Sequence, residues 1–165
     1  MSMHTLRPYT IPRGHHRPRG WFFRAFCSLL WRAPEAIELQ VLFTRSCWYS
    51  VTPGVNDQLQ KLVGYSRGPH HQNSTRIVWR PDGTPDRPGF ALFVYEYQKG
   101  STPPPEEQLE LITVAYPDEV NNLLPLYGID TGPSWGYRLW PHFEGPDNAG
   151  APHTMTLYLA TRLLY

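Results

Sequence analysis

Proline and glycine cut this chain into short pieces. With 18 Pro and 13 Gly among 165 residues, a bundle of long helices is a poor fit. Proline removes a backbone donor and clashes with the preceding turn, and glycine costs conformational entropy. Between the breaks stand runs rich in β-branched and aromatic side chains, which suit a pleated, half-buried surface. The chain is 41% hydrophobic and 18% charged, too apolar for general disorder. Its length suits one domain, able to bury about two-thirds of its unfolded surface in a single core.

The runs read as strands joined by turns. Ile37 to Tyr49 is a long strand bent near Ser46 and ended by Pro53-Gly54. Asn56 to Val63 reads as one or two helical turns, with Leu59, Leu62 and Val63 on one face. Ser74 to Arg80 alternates, placing Thr75, Ile77 and Trp79 on one side and Ser74, Arg76, Val78 and Arg80 on the other. Across Asp82-Gly83 it forms a hairpin with Phe90 to Gln98. After a linker at Gly100 to Pro105 come a strand at Leu109 to Tyr116, a short helix or loop at Asp118 to Leu124, and strands at Trp135 to Phe143 and His153 to Leu164. In the last of these Met155, Leu157 and Leu159 share a face. Six or seven strands without regular strand–helix alternation predict an all-β fold, an antiparallel two-sheet β-sandwich of jelly-roll type with one or two short helices. A closed β-barrel is the alternative.

The charge is divided. Arg7, Arg13, Arg17, Arg19, Arg24 and Arg32 all precede the first acidic residue, Glu35. Removing those six from the 15 basic residues leaves nine against 14 acidic ones in the remainder. Residues 1–34 are therefore expected to be a basic, acid-free arm, flexible or in contact with another subunit, and residues 35–165 a single β domain. The apolar patch from Trp21 to Trp31 is 11 residues long with an internal Arg, too short to span a bilayer. Its features also admit a weak secretory or transit signal. Cys27 and Cys47 allow at most one intramolecular disulfide, so cysteine usage assigns no compartment.

Chemistry concentrates in two places. In the loop and strand at 68–80, His70, His71 and Asn73 lead to Arg76, whose planar guanidinium suits a carboxylate or a sugar. Adjacent histidines on a strand would point to opposite faces, so no metal site is assigned. The bland alternative is that Asn73 and Ser74 shape a turn while Arg76 covers a sheet face. The second place is the aromatic run from Trp135 to Phe143, where Trp135, Tyr137 and Trp140, with Tyr95 and Tyr97, supply ring faces for stacking on sugars or bases. Glu96 and Glu144 are the nearby acids. No phosphate-cradling glycine loop, nucleophile elbow or paired-cysteine motif occurs, and no cofactor is expected.

The run His70-His71-x-Asn73-Ser74-x-Arg76-x-x-Trp79-Arg80, followed by Tyr95-x-Tyr97-x-x-Gly100 and Ala151-Pro152-His153-x-Met155, resembles a family of small uncharacterised bacterial proteins over roughly residues 60–162. The resemblance implies no activity. It points to His70, His71, Asn73, Arg76 and His153. It does not favour His142 or Glu144, where those proteins tend to carry a Tyr-Phe-Gly-Gly-like stretch in place of His142-Phe143-Glu144-Gly145.

The expected function is binding of a carbohydrate or another small polar or acidic ligand through His70, His71, Asn73, Arg76, Tyr95, Tyr97, Trp140 and His153. Two alternatives stand beside it. One is a structural or assembly subunit whose basic arm contacts a second copy or a nucleic acid. The other is a polysaccharide-acting lyase or hydrolase, with a His or Tyr as base and Arg76 neutralising a substrate carboxylate.

Overall fold

A computed structural model describes residues 5–26, 28–30, 32–50, 59–101, 109–127, 132–144 and 149–165. Two antiparallel sheets form it. The first has four strands: β1 (Arg7–Ile11), then β10 (Met155–Leu164), β3 (Ala36–Phe43) and β8 (Asn121–Tyr127) in spatial order. The second has six: β2 (Leu29–Leu30), β9 (Gly136–Leu139), β4 (Gln60–Arg67), β5 (Ser74–Thr84), β6 (Arg87–Tyr97) and β7 (Leu111–Ala115). Neither sheet closes into a barrel. The helix α1 (Trp21–Phe26) and a 3-10 turn at Arg45–Cys47 are the helical pieces among the described residues. None is long and apolar enough to cross a membrane.

One core lies between the sheets. Leu39, Val41 and Phe43 from β3 and Met155, Leu157 and Leu159 from β10 meet Leu62, Ile77, Trp79, Phe90 and Leu92 from the six-stranded sheet. At its centre the Phe43 ring stacks on Phe90 at 4.4 Å and lies 5.1 Å from Trp79. Such ring pairs add to the burial term about 0.5–1.5 kcal/mol each. The alternation read in β10 is the observed one, and the bend near Ser46 is the 3-10 turn.

Several boundaries differ from the sequence reading for identifiable reasons. Gln60 to Val63 is strand, not helix, because β4 pairs with β5 on one side and β9 on the other. A register shift between Lys61 and Val63 lets the consecutive Leu62 and Val63 both enter the core, which imitates helical spacing. The hairpin turns at Pro85-Asp86, since Thr84 pairs with Arg87. Gly83 stays in the strand at φ +74°, where a Cβ would sit 2.2 Å from the Arg87 carbonyl oxygen. Asn121 to Tyr127 is strand, not helix or loop, and tolerates Pro125 because β8 is an edge. The proposed cap at Asn56 or Asp57, the turn at Pro53-Gly54, Cys27 and most of the linker after Gly100 lie outside the described residues.

Part of residues 1–34 lies within the sandwich. Arg7 to Ile11 pairs with β10, and Tyr9 and Ile11 are buried in the core. Residues 12–26 then lead from β1 in the first sheet towards β2 at the edge of the second. Backbone bonds hold that crossing: Phe143 N–H to His16 O at 2.8 Å, Ala151 N–H to His15 O at 3.0 Å, and Arg138 N–H to Ser28 O at 2.9 Å. Charge asymmetry marked this segment as different, but the apolar alternation of Tyr9 and Ile11 decides its place.

Ile11→Ala is expected to cost about 2–5 kcal/mol in denaturant unfolding, the range for truncating a buried aliphatic side chain. A chain beginning at Glu35 should melt well below the full chain; equal melting would show the first strand to be an appendage.

Candidate functional site

The six-stranded sheet turns one face to the core and the other outward. On the outward face the register sets Arg76 of β5 opposite Tyr95 of β6, and Ser74 opposite Tyr97. On the other side Arg76 pairs with Gly64 of β4, which pairs in turn with Leu139 of β9, and Ser66 links Ser74 to Tyr137. Gly64 and Ser66 are small, so the space above them stays open between Arg76 and Tyr137. The glycine is required: a Cβ at residue 64 would lie 2.1 Å from the Thr75 carbonyl oxygen and 3.0 Å from Arg76 Cγ. The Arg76 stem thus runs across a gap that any larger residue would fill.

This space is an open groove of about 700 Å³, bounded by His70, His71 and Arg76 on one side and by Leu139, His142 and Glu144 on the other. Arg17 and Trp21 from the N-terminal crossing form an end wall, where the Arg17 guanidinium lies 3.9 Å from the centre of the Trp21 ring. Cations dominate the described lining: Arg17, Lys61, Arg76 and Arg138 stand with one carboxylate among the described residues, Glu144, which pairs with Lys61.

Arg76 is the outlier. It is 7% exposed, its Nε is buried without a hydrogen-bond partner, and no carboxylate among the described residues pairs with it. Burial pushes its pKa down, and the neighbouring phenols Tyr137, Tyr97 and Tyr95 offset that only partly. Its field reaches the histidines. Burial first, then the Arg76, His71 and Lys61 charges, push His70 down to about 4. Burial, then Lys61, Arg17, His16 and Arg76, hold His142 at about 4. The Glu144 carboxylate lies 3.9 Å from His142 but is engaged by Lys61, so it does not rescue the imidazolium.

His70 also makes a close polar contact in the groove. Its Nδ1 lies 2.6 Å from the Tyr137 hydroxyl, and its backbone N–H donates to the same oxygen at 3.3 Å. The His71 ring centre is 4.0 Å from that of His70 and 5.5 Å from that of Tyr97, and Tyr97 is 5.7 Å from Tyr95. Burial and then a hydrogen bond with Tyr97 push the Tyr95 phenol up to about 12.

Of the residues singled out in sequence, His70, His71 and Arg76 line this groove, and Tyr95 and Tyr97 lie beside it, Tyr97 against the His71 ring. Trp140 stands at its rim, stacked on Tyr9 at 6.2 Å with its indole N–H donating to Ser28 Oγ at 2.7 Å. Asn73 sits behind the loop, where its Oδ1 accepts the Lys99 N–H at 3.2 Å. His153 is elsewhere, its Nε2 2.7 Å from the Ser46 carbonyl oxygen beside the 3-10 turn. Those two shape loops and do not face the groove. Conversely, His142 and Glu144, which the motif resemblance disfavours, line it. Lys61 was missed because its segment read as helix, and Arg17 and Trp21 because they lay in the supposed arm. Among the described residues no three His, Cys, Asp or Glu side chains gather as a metal set. Compared with known proteins, the chain matches no family model, no curated protein and no solved structure.

A pH dependence follows. Both histidines stay neutral in the folded chain down to about 4, whereas an unfolded histidine takes up its proton near 6.5. Stability is therefore full above the unfolded value, falls as pH drops from about 6.5 towards 4, and levels off below. NMR titration of the imidazoles should place the His70 and His142 midpoints well under 6.5 and move His70 upward in Arg76→Met. Ordinary midpoints in the native chain would contradict a cationic groove.

Proposed function

We propose that the domain binds a small acidic ligand, a carboxylate-bearing sugar or a similar compound, in the groove on the outer face of its six-stranded sheet. The observation that carries this reading is the buried Arg76 guanidinium without a carboxylate partner at the foot of an open, ring-lined groove. A buried charge costs several kcal/mol unless it is paired. A ligand carboxylate would supply the missing partner through two parallel hydrogen bonds. The rings of Tyr137 and His71 offer faces for the body of the ligand. We read the two stacked sheets as a jelly roll, an architecture whose outer sheet face suits extended sugars; the likeness is one of architecture alone.

Titration calorimetry with galacturonate, glucuronate and the matching neutral sugars tests the reading. The acids should bind and the neutral sugars should bind more weakly. Arg76→Met should weaken the acids by about 1.5–3 kcal/mol, on the order of ten- to hundredfold in Kd. The same substitution should raise the melting temperature, because an apolar side chain of similar length replaces an unpaired buried charge. Native affinity in that variant would remove Arg76 from the site.

A second reading, self-association, rests on α1. Phe22 and Phe23 are 69% and 78% exposed beside the basic crossing segment, and exposed aromatic pairs mark contact surfaces. Light scattering of the full chain beside a Phe22→Ser, Phe23→Ser variant decides it: a defined oligomer lost in the variant supports assembly, and monomers in both exclude it.

A further inference from the structure

We infer that the groove also performs chemistry on the ligand it holds: a syn β-elimination that breaks the glycosidic C–O bond beside the carboxylate of a uronate, with Tyr137 and His70 moving the proton and Arg76 neutralising the carboxylate. The inference rests on the acidic-ligand reading above and adds a reaction to it. Three observations carry it together. The Tyr137 hydroxyl and His70 Nδ1 are 2.6 Å apart, within proton-transfer distance. The His70 backbone N–H donates to the same phenol oxygen at 3.3 Å, a bond that strengthens as negative charge builds there. Tyr137 and Arg76 face the same groove across the small residues Gly64 and Ser66, two strand spacings across and two residues along, roughly 12 Å apart at their Cα atoms. A carboxylate on Arg76 thereby presents its α-carbon towards the phenol.

A proton α to a carboxylate is removed only when the charge building on the carboxylate is stabilised, and a buried guanidinium without a partner is preorganised for that. The step balances without any outside reagent. The Tyr137 oxygen takes the proton from the carbon next to the carboxylate, and the Tyr137 proton passes to His70 Nδ1. The C–H electron pair becomes a carbon–carbon double bond as the adjacent C–O bond breaks, and its electrons leave with the oxygen. Tyr137 then protonates that oxygen and regains its own proton from His70. Nothing is oxidised, and no water is consumed.

The state of His70 fits this cycle. Burial and Arg76 keep its imidazole neutral, so with the proton on Nε2 the Nδ1 lone pair is available to Tyr137. When a substrate carboxylate offsets the Arg76 charge, His70 becomes a better proton acceptor. The pair is thus weakest as a base when the groove is empty and strongest when it is filled. Hydrolysis would need instead an acid and a base flanking the scissile bond, and among the described residues the one carboxylate lining the groove, Glu144, is paired with Lys61.

The experiment incubates the full chain with alginate and hyaluronan, whose mannuronate and glucuronate units carry the C5–H and the C4–O bond on one face, while following the ultraviolet absorbance of the unsaturated product and the rise in reducing ends, with binding measured separately. Expected are both signals for at least one polymer, and a loss of about 10²- to 10⁴-fold in Tyr137→Phe and His70→Gln, with polymer binding retained in both variants. Retained binding shows that the variants are folded and that loss of activity is chemical. Reducing ends without unsaturation would mean hydrolysis and overturn the inference. Binding of a polymer with neither signal would overturn it and leave the acidic-ligand reading standing. Binding of no uronate would overturn both.

Discussion

The structure turns on β5, a central strand buried on both faces. Its inward residues Ile77 and Trp79 close the core against Phe43 and Phe90, and its outward residues Val78 and Arg76 are almost as inaccessible. A strand held between two neighbours can shift neither register nor face, because a slip of one residue would drive Arg76 into the aromatic core and Trp79 outward. The packing that stabilises the sandwich is therefore also what forces a guanidinium into a poorly solvated position. Gly64 makes this tolerable by leaving room for the stem of Arg76 beside β4.

That coupling sets stability against function. An unpaired buried charge is retained at a cost, and within the fold nothing described repays it. The surroundings leave most of that cost standing: the nearby phenols of Tyr137, Tyr97 and Tyr95 offset burial only partly, His70 and His142 are kept neutral, and Lys61 is engaged by Glu144. A ligand that binds only the folded state repays the cost by mass action, and each hundredfold excess over Kd adds about 2.7 kcal/mol.

Much of the fold was legible in sequence because β5 and β10 alternate, and β6 is a run of apolar and aromatic residues joined to β5 by a turn. Legibility failed where tertiary pairing outranks local pattern. Leu62 and Val63 are both buried through a register shift that no local rule reveals, and Pro125 concealed a strand that is permissible only because it lies at an edge. Tyr9 and Ile11 alternate over too few residues to outweigh the surrounding prolines, glycines and arginines, and only pairing with β10 gives them a core to enter. The site was half legible for a related reason. His70, His71 and Arg76 are close in sequence, whereas Lys61, Tyr137 and Arg17 reach them through pairings spanning the chain. Asn73 and His153, which belong to the same motif, do not line the groove; Asn73 accepts from the Lys99 N–H and His153 lies against the Ser46 carbonyl oxygen.

The arrangement of charge also bears on which anion the groove would prefer. Lys61 is taken by Glu144, Arg17 lies over Trp21 at the end wall, and Arg138 lies over Trp140 at 5.2 Å. Arg76 alone is deep in the groove and unmatched. A phosphate, with close to two charges at neutral pH, would need a second cation freed from its partner, at the cost of leaving Glu144 unpaired. A carboxylate brings one charge and a planar pair of oxygens that fits one guanidinium face to face. Rings around that point favour a ligand whose remainder is bulky and only moderately polar. On the proposed reading, this arrangement of charge and rings would favour a single carboxylate carried on a ring or a chain of rings.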